Sequence, residues 1–245
     1  MVSGGASGIG RATAVAFGGE GAEVAVVDLD RKGAQETVEL IEEAGGRACF
    51  VEADMTQAKQ VESAVERVVK WSRSGRLDCA HNNVGITGPG APTADYLEED
   101  WDRVMAVNLK SVFLGMKYEI PRMLDSGGGA IVNTSSGAGL VGFPGLPAYV
   151  ASKHGVIGLT RAAALEYAKA GIRINAVCPG STRTPMLEGF MRGDPRIEKM
   201  MAAGAPVGRL ASPDEIAAAV VWLCTDAASF VIGHALAVDG GAVVM

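Results

Sequence analysis

Short apolar runs alternate with amphipathic segments along almost the whole chain. The apolar runs are typical of buried strands and cover residues 24–27, 48–52, 77–80, 130–134, 173–178 and 236–238. The segments between them have the periodicity of helices and cover residues 11–17, 31–44, 57–74, 101–109, 111–125, 149–170 and 213–225. Continuous apolar strands separated by helices indicate a parallel sheet covered on both faces. We therefore predict an α/β fold, a Rossmann-like doubly wound parallel sheet in a three-layer αβα arrangement.

The domain organisation follows from what lies between these elements. No linker, repeat or low-complexity segment interrupts them, so we predict a single domain over residues 1–245. Residues 186–210 hold Gly, Pro and several Met, and we predict an irregular flap over a site there. Only Met1 and Val2 precede a Gly-rich loop, whereas a strand usually has about five or six residues. We expect the natural chain to begin upstream of Met1.

Composition and charge exclude several classes of protein. Hydrophobic residues make up 48% of the 245 residues, which is ample for a buried core and unlike a disordered chain. The net charge of −6 argues against nucleic acid or an anionic membrane surface as a partner. No apolar run approaches the roughly 20 residues of a membrane span. The four cysteines are scattered without metal-ligand spacing, so we predict no metal site and a reducing, cytoplasmic location.

A Gly-rich loop opens the chain at residues 3–10 and leads into the first helical segment. Such glycines let backbone N–H groups approach a pyrophosphate, and the helix N-terminus adds partial positive charge. Asp28 ends the next strand, where a carboxylate accepts hydrogen bonds from an adenosine ribose. Because that carboxylate would repel a 2′-phosphate, we predict NAD rather than NADP as cofactor. Arg31 lies close enough in sequence to weaken this preference.

Tyr149 and Lys153 open a helical segment and share one helix face, since they are four residues apart. An ammonium near the phenol favours the phenolate and lowers the Tyr pKa, which suits a general acid/base. Ser135 and Ser136 follow a strand end, where ligands bind in open α/β sheets. The Asn82–Gly85 run and the Pro179-Gly180 pair follow two further strand ends.

In combination, these motifs resemble the short-chain dehydrogenase/reductase family, and the resemblance extends from Ser3 to Gly241. The glycine motif of the family matches residues 3–10 with Ser3 in place of Thr, and its Asn-Asn-Ala-Gly motif has Val84 in place of Ala. The resemblance implies a catalytic set of Asn108, Ser136, Tyr149 and Lys153. It implies a cofactor set of Ser3, Gly4, Ser7, Gly8, Ile9, Gly10, Asp28, Asp54, Met55, Asn83, Val84, Gly85, Tyr149, Lys153, Pro179, Gly180, Thr182 and Thr184.

The same resemblance implies a role for each catalytic residue. Tyr149 exchanges a proton with the substrate oxygen, and Ser136 donates a hydrogen bond to that oxygen. Lys153 lowers the Tyr149 pKa and holds the nicotinamide ribose, while Asn108 holds a water that links Lys153 to solvent. Asp54 lies near the adenine, and Thr184 holds the nicotinamide amide. The implied reaction is hydride transfer between a small secondary alcohol or ketone and NAD, in a homotetramer.

Two other functions remain open at this point. A 3-oxoacyl carrier-protein reductase would use NADPH and a basic docking patch, for which Lys110, Lys117 and Arg122 are candidates. Asp28 and the net charge of −6 argue against it. A non-catalytic dinucleotide sensor is the third possibility, but such proteins lack the Tyr or the Lys, and both are present here. The run at residues 183–186 resembles that of family members that oxidise cyclic alcohols and diols.

Overall fold

A parallel sheet of seven strands forms the centre of the molecule, and its order is β3-β2-β1-β4-β5-β6-β7. The computed structural model describes residues 1–244. The strands are β1 Val2–Ser3, β2 Glu23–Asp28, β3 Arg47–Glu52, β4 Cys79–Asn82, β5 Gly129–Thr134, β6 Ile172–Pro179 and β7 Ala235–Val238. Every pairing is parallel. The predicted doubly wound sheet is therefore confirmed.

Helices cover both faces of this sheet. They are α1 Gly8–Gly19, α2 Arg31–Glu43, α3 Ala58–Trp71, α4 Glu98–Met105, α5 Ser111–Asp125, α6 Pro147–Tyr167, α7 Pro185–Met191, α8 Pro195–Ala203 and α9 Pro213–Cys224. Successive strand residues enter opposite cores: Ala25 and Val27 pack with α3, α5 and α6, whereas Val24 and Val26 pack with α1, α2 and α9. Burial on both faces explains why the strands are continuously apolar. No described helix is long and apolar enough to cross a membrane.

The first strand is as short as the sequence indicated, yet it lies at the centre of the sheet. Val2 and Ser3 pair with β2 on one side and with β4 on the other, and both are buried. The amide of Gly4 continues the pairing by donating to the Val27 carbonyl at 2.9 Å. This short strand delivers the Gly-rich loop to the middle of the sheet edge.

The segment at residues 186–210 is not irregular as predicted, because α7 and α8 occupy most of it. Each helix has a capped start: the Leu187 amide donates to the Thr184 hydroxyl at 3.3 Å, and the Arg196 amide donates to Asp194 Oδ1 at 2.9 Å. Proline follows each cap at the first helical position, where its missing N–H costs nothing. These capping signals outweighed the Gly and Met content on which the prediction of a flap was based.

The two helices predicted at residues 101–109 and 111–125 form one continuous helical path. A π-helical turn, Ala106–Lys110, joins α4 to α5, and its flanking residues keep right-handed helical angles. Turns of this kind insert an extra residue into a helix and are frequent at functional sites. Here the turn contains Asn108, whose side chain is fully buried.

A buried polar network ties the central strands to α5 and α6. Asn82 Nδ2 donates to Glu119 Oε2 at 3.0 Å and to Asn133 Oδ1 at 3.1 Å, and Asn133 Nδ2 donates to Thr160 Oγ1 at 3.0 Å. Within the described residues, Glu119 Oε1 has no hydrogen-bond partner. Burial raises the pKa of Glu119 to about 7, and the donor from Asn82 only partly opposes this effect. A carboxyl in such surroundings keeps its proton until the pH approaches about 7.

The raised pKa of Glu119 predicts a pH dependence of stability. The folded protein binds the Glu119 proton more tightly than the unfolded chain, so stability falls as pH rises from 4.5 to about 7. Because a pKa shift of one unit corresponds to 1.36 kcal/mol, the full shift changes the free energy of unfolding by about 3 kcal/mol. Glu119→Gln should remove this slope and unfold at higher urea than wild type at pH 8. The exposed Glu166→Gln should keep the wild-type slope; an unchanged slope in Glu119→Gln would contradict the assignment.

Candidate active site

The carboxyl ends of the strands place the predicted site residues along one edge of the sheet. Asp28 ends β2, Asn83 follows β4, and Ser136 lies just beyond β5. Pro179 is the last residue of β6. Parallel strands end on the same side, so loops distant in sequence meet there, and this edge is where open α/β sheets bind ligands.

The Gly-rich loop bends tightly between β1 and α1. Gly4 and Gly8 have positive φ of 64° and 53°, a region that side-chain-bearing residues avoid. A Cβ on Gly10 would lie 2.0 Å from the Gly4 carbonyl oxygen, so only glycine permits the loop to touch the helix. Ser7 is the N-cap of α1, but its side chain makes no capping hydrogen bond. The first amides of α1 are thus open to an anion, which fits the pyrophosphate of a dinucleotide.

Asp28 is fixed by two backbone amides. Its Oδ2 accepts from Ala6 N at 3.0 Å, within the glycine loop, and its Oδ1 accepts from Asp30 N at 3.0 Å. The carboxylate therefore has a set orientation beside the loop, and each oxygen keeps a lone pair for a further donor. Hydroxyls of a ribose are donors of that kind.

The two arginines nearest Asp28 are engaged elsewhere. Arg31 pairs with Glu52 and lies 5.5 Å from the centroid of the Phe50 ring. Arg11 donates to the Ala6 carbonyl and pairs with Glu36 at 2.9 Å. Both guanidinium groups are thus paired with carboxylates, and the Arg31–Glu52 pair is exposed.

Two further residues of the predicted cofactor set follow β3. Asp54 Oδ1 accepts from the Thr56 amide at 2.8 Å and from the Thr56 hydroxyl at 2.7 Å, which fixes the carboxyl at the start of α3. Met55 is buried in the core cluster under this face, so its backbone alone can meet a ligand. Because β3 pairs with β2, the two residues follow the strand end that neighbours Asp28.

The loop after β4 is held against the glycine loop. Asn83 Nδ2 donates to the Gly4 carbonyl at 3.2 Å, and the Asn83 amide donates to Ser3 Oγ at 3.1 Å. The hydroxyl of Ser3 thus connects the first strand to the loop after β4. Val84 packs partly buried against the core, so its extra bulk relative to Ala is accommodated. Gly85 faces Lys153, because a Cβ on Gly85 would lie 3.4 Å from the Lys153 Nζ.

Tyr149 and Lys153, predicted as catalytic residues, lie at the N-terminal end of α6. Pro147 starts this helix, and Tyr149 and Lys153 fall on the same face, as their spacing predicts. The Lys153 Nζ lies 5.7 Å from the centroid of the Tyr149 ring and donates to the Thr134 carbonyl at 2.9 Å. The Ser136 hydroxyl lies beside the Tyr149 phenol and lowers its pKa, so a hydroxyl and an ammonium both lie near the Tyr149 ring.

The two serines after β5 have different environments. Ser135 is buried, and its hydroxyl donates to the Lys153 carbonyl at 2.8 Å, which fixes the loop against α6. Ser136 is only half-buried and adjoins Tyr149. Of the two hydroxyls, that of Ser136 is therefore better placed to reach a ligand.

The pKa values differ from the sequence-based expectation. Burial raises the pKa of the Tyr149 phenol, and the hydrogen bond from Ser136 lowers it only in part. Burial also lowers the pKa of Lys153 to about 8. The expectation that Lys153 lowers the Tyr149 pKa is wrong for this structure, because the ammonium points to the Thr134 carbonyl rather than to the phenol oxygen.

Asn108 connects the π turn to the same centre. Its Oδ1 accepts from the Ile86 amide at 2.8 Å, and its Nδ2 donates to the Ile86 carbonyl at 2.8 Å. The Nδ2 also donates to Ser152 Oγ at 3.1 Å. A Cβ on Gly85 would meet both Asn108 Oδ1 and Lys153 Nζ at 3.4 Å, so the two side chains border one small space.

The loop after β6 closes the other side of the site. Thr184 lies over the glycine loop, since a Cβ on Gly8 would meet its Cγ2 at 3.1 Å. The Thr184 hydroxyl caps α7 as an acceptor and keeps its own proton to donate. Thr182 is buried and bridges to Ala211, which anchors both ends of the segment containing α7 and α8. The Gly180 amide donates to the Val238 carbonyl at 3.0 Å and ties the loop to β7.

Some contributors were missed by sequence reasoning. Thr134 holds Lys153 through its carbonyl, and Ala6 orients Asp28 through its amide. Backbone groups leave no signature in residue type, which is why neither was identified. Among the described residues, no group of three or more His, Cys, Asp or Glu side chains could hold a metal ion.

Comparison with known proteins bears on this arrangement. The family model described as Enoyl-(Acyl carrier protein) reductase matches residues 4–243. Cyclohexanol dehydrogenase of Acinetobacter sp. (strain SE19) is 45% identical over 240 residues, which are 98% of this chain and 92% of that protein. The chain belongs to the short-chain dehydrogenase/reductase family.

Solved structures of the family agree in fold. The crystal structure of levodione reductase matches with a TM-score of 0.95 and 38% identity, over 99% of this chain and 96% of that one. A variant of actinorhodin polyketide ketoreductase with NADPH matches with a TM-score of 0.93 and 36% identity, over 100% and 96%. The chain is thus a nicotinamide-dinucleotide-dependent oxidoreductase that interconverts secondary alcohols and ketones, as predicted.

The contact between Gly10 and Gly4 predicts the effect of a single methyl group. Gly10→Ala would place its Cβ 2.0 Å from the Gly4 carbonyl oxygen and 2.8 Å from Asn83 Nδ2, so the loop must shift. We expect NADH affinity, measured by fluorescence titration, to fall by at least about tenfold, or ~1.4 kcal/mol. Gly19→Ala is the control, because Gly19 lies in the same helix and a Cβ there would meet nothing within 4 Å. Equal NADH affinities in the two variants would contradict the role of the Gly-rich loop in dinucleotide binding.

Proposed function

We propose that this chain is an NAD-dependent dehydrogenase of a small alicyclic secondary alcohol, acting through Ser136, Tyr149, Lys153 and Asn108. The observation that supports this most directly is that the Ser136 hydroxyl and the Lys153 ammonium both lie near Tyr149, at the sheet edge that carries the glycine loop. A phenol flanked by a hydroxyl and an ammonium is suited to move one proton at a substrate oxygen. A nicotinamide dinucleotide supplies the hydride chemistry when bound.

The residues of the chain divide the remaining work. Tyr149 donates its proton to a ketone oxygen during reduction and takes the carbinol proton during oxidation. Ser136 donates a hydrogen bond to the same oxygen and stabilises the negative charge that develops there. Because burial raises the pKa of Tyr149, the phenol is protonated at neutral pH and ready for reduction. Oxidation requires its deprotonation, so we expect the oxidation rate to rise with pH.

Lys153 and Asn108 act on the far side of the phenol. With a pKa lowered to about 8, Lys153 exchanges its proton near neutral pH, which suits a group that returns protons to Tyr149. Asn108 borders the same space and is held by Ile86 and Ser152. Its Oδ1 keeps one lone pair, with which Asn108 would hold a water in that space.

The preference for NAD rests on Asp28. Its carboxylate is fixed next to the glycine loop, where it can accept ribose hydroxyls and would repel a 2′-phosphate. Arg31, which could have weakened this preference, pairs with Glu52 instead. The cofactor set would therefore comprise the glycine loop, Asp28, Asp54 and Met55, residues 83–85, and Pro179 to Thr184, together with Tyr149 and Lys153.

The substrate class rests on the apolar lining of the edge. Val141 and Phe143 follow β5, and Met186 and Phe190 lie on α7 after β6, so both pairs leave the same edge of the sheet. All four are exposed large apolar side chains, which suit a hydrocarbon ring. The 45% identity to a cyclohexanol dehydrogenase supports the same class. A small-molecule alcohol or ketone is thus the proposed partner, without nucleic acid or membrane.

The proposal extends to the assembly and its location. One sheet spans the described chain, in support of a single domain over residues 1–245. Phe113 on α5, Leu165 on α6 and Phe230 near β7 are exposed, and the last is fully so. Apolar side chains on these elements support a homotetramer built through α5, α6 and β7. Four free cysteines support a reducing, cytoplasmic location.

The cofactor preference is testable by titration of intrinsic tryptophan fluorescence with NADH and NADPH at fixed salt. Wild type should bind NADH at least about tenfold more tightly, and Asp28→Ala should lose most of that difference because its carboxylate no longer repels the 2′-phosphate. Asp30→Asn is a control, since that side chain caps α2. Tighter NADPH binding by wild type would favour a 3-oxoacyl carrier-protein reductase. The similarity to a polyketide ketoreductase solved with NADPH is the observation that favours this second function.

The role of Tyr149 is testable with cyclohexanol and NAD. Tyr149→Phe removes only the phenol oxygen, so turnover should fall by at least about a hundredfold, the lower range for general acid/base catalysis. NADH affinity should stay within about twofold of wild type. Tyr118→Phe, on α5, should turn over at the wild-type rate. Undiminished turnover in Tyr149→Phe would exclude this mechanism, and no turnover in wild type would favour a dinucleotide sensor.

A further inference from the structure

His81 is a fully buried histidine to which the mechanism assigns no role. It lies on β4 between the first strand and β5, under the edge that carries the site. Burial lowers the pKa of its imidazole to about 3, so the ring is neutral at every pH at which the protein is expected to work. Its Nδ1 has no hydrogen-bond partner among the described residues, whereas its Nε2 lies 2.7 Å from Thr134 Oγ1.

A continuous line of hydrogen bonds leads from this ring to the glycine loop. Thr134 Oγ1 lies 3.2 Å from Asn83 Oδ1, and Asn83 Nδ2 lies 3.2 Å from the Gly4 carbonyl oxygen. The line thus crosses from β4 to β5, returns to the loop after β4, and ends at the residue that follows β1.

The direction of each hydrogen bond is determined by its far end. The Gly4 carbonyl can only accept, so Asn83 must present its amide nitrogen there and its oxygen to Thr134. That oxygen can only accept, so it accepts a hydrogen bond from the Thr134 hydroxyl, whose single proton is then used. Thr134 Oγ1 must then accept from His81, which places the imidazole proton on Nε2 and leaves Nδ1 bare. The unpartnered Nδ1 agrees with this assignment, because a bare nitrogen carries no unused proton.

The end of the line is the most crowded point of the cofactor loop. A Cβ on Gly10 would lie 2.8 Å from Asn83 Nδ2, so this amide is in contact with both glycines. If the Asn83 amide group were rotated by half a turn, its oxygen would face the Gly4 carbonyl oxygen, and the two oxygens would repel each other. Thr134 also holds Lys153 through its carbonyl at 2.9 Å, so the same residue borders the catalytic centre.

We infer that His81 is a positioning residue for dinucleotide binding, and that it acts through Thr134 to fix the orientation of the Asn83 amide against the glycine loop. The inference rests on the proposed function for its binding readout, but the predicted tautomer of His81 does not. It explains why a polar ring occupies a fully buried strand position that an aliphatic side chain would fill at lower desolvation cost.

The tautomer is measurable without any ligand. The chain has three histidines, so selective ¹⁵N labelling of the imidazoles gives three readily assigned spin systems. We expect His81 to show a protonated Nε2 and a bare Nδ1, unchanged between pH 6 and 8 because burial keeps the ring neutral. A protonated Nδ1 would mean that His81 accepts from Thr134 rather than donating to it, and this result would overturn the inference.

The binding readout uses paired variants. Thr134→Val keeps the carbonyl that holds Lys153 and removes the hydroxyl, so the dissociation constant for NADH should rise about tenfold. His81→Leu should have a similar effect, and His81→Gln should restore near-wild-type affinity, because its amide can donate from almost the same place. The double variant should bind no more weakly than Thr134→Val alone, since both changes break one line.

Thr160→Val is the matched control. Thr160 accepts a hydrogen bond from Asn133 in the neighbouring buried network, so its loss should lower stability and leave NADH affinity unchanged. Wild-type affinity in Thr134→Val and His81→Leu would overturn the inference. Additive losses in the double variant would do the same. Failure of wild type to bind NADH would instead refute the proposed function. The His81 tautomer would still test the hydrogen bonds from His81 to Gly4 in that case.

Discussion

The close contact between the start of α1 and the loop that leaves β1 is the constraint on which the site depends. A Cβ on Gly10 would lie 2.0 Å from the Gly4 carbonyl oxygen, so helix and loop form one surface only because this residue is glycine. The same contact presents the Gly4 carbonyl to Asn83 and the Ala6 amide to Asp28. A small change of loop position would therefore disturb the phosphate, ribose and lysine sides of the site together.

The catalytic side is connected to that loop through β5. Thr134 accepts from Lys153 with its carbonyl and orients Asn83 with its hydroxyl, so one residue serves both halves of the site. This contact draws the ammonium away from the phenol oxygen, and burial keeps the pKa of Tyr149 raised. The low Tyr pKa expected from the sequence would require the ammonium to lie closer to the phenol oxygen than it does here.

Much of this could be predicted from the sequence, for identifiable reasons. The sheet followed from continuous apolar runs, and the site edge followed from polar residues at strand ends. The Met and Gly content of residues 186–210 predicts an irregular segment, whereas the caps Thr184 and Asp194, each followed by Pro, determine the starts of α7 and α8. The role of Thr134 could not be predicted, since it depends on the register that sets β4 beside β5, and a single sequence does not specify which strands adjoin.

Transfer of an isotope from substrate to cofactor tests the central claim most directly. Cyclohexanol labelled with deuterium at its carbinol carbon would be incubated with NAD and the purified protein, and the NADH formed would be analysed by mass spectrometry. The account predicts that the NADH carries the deuterium and that the labelled alcohol reacts more slowly than the unlabelled one. Cyclohexanone formed with deuterium-free NADH would contradict direct hydride transfer at this site.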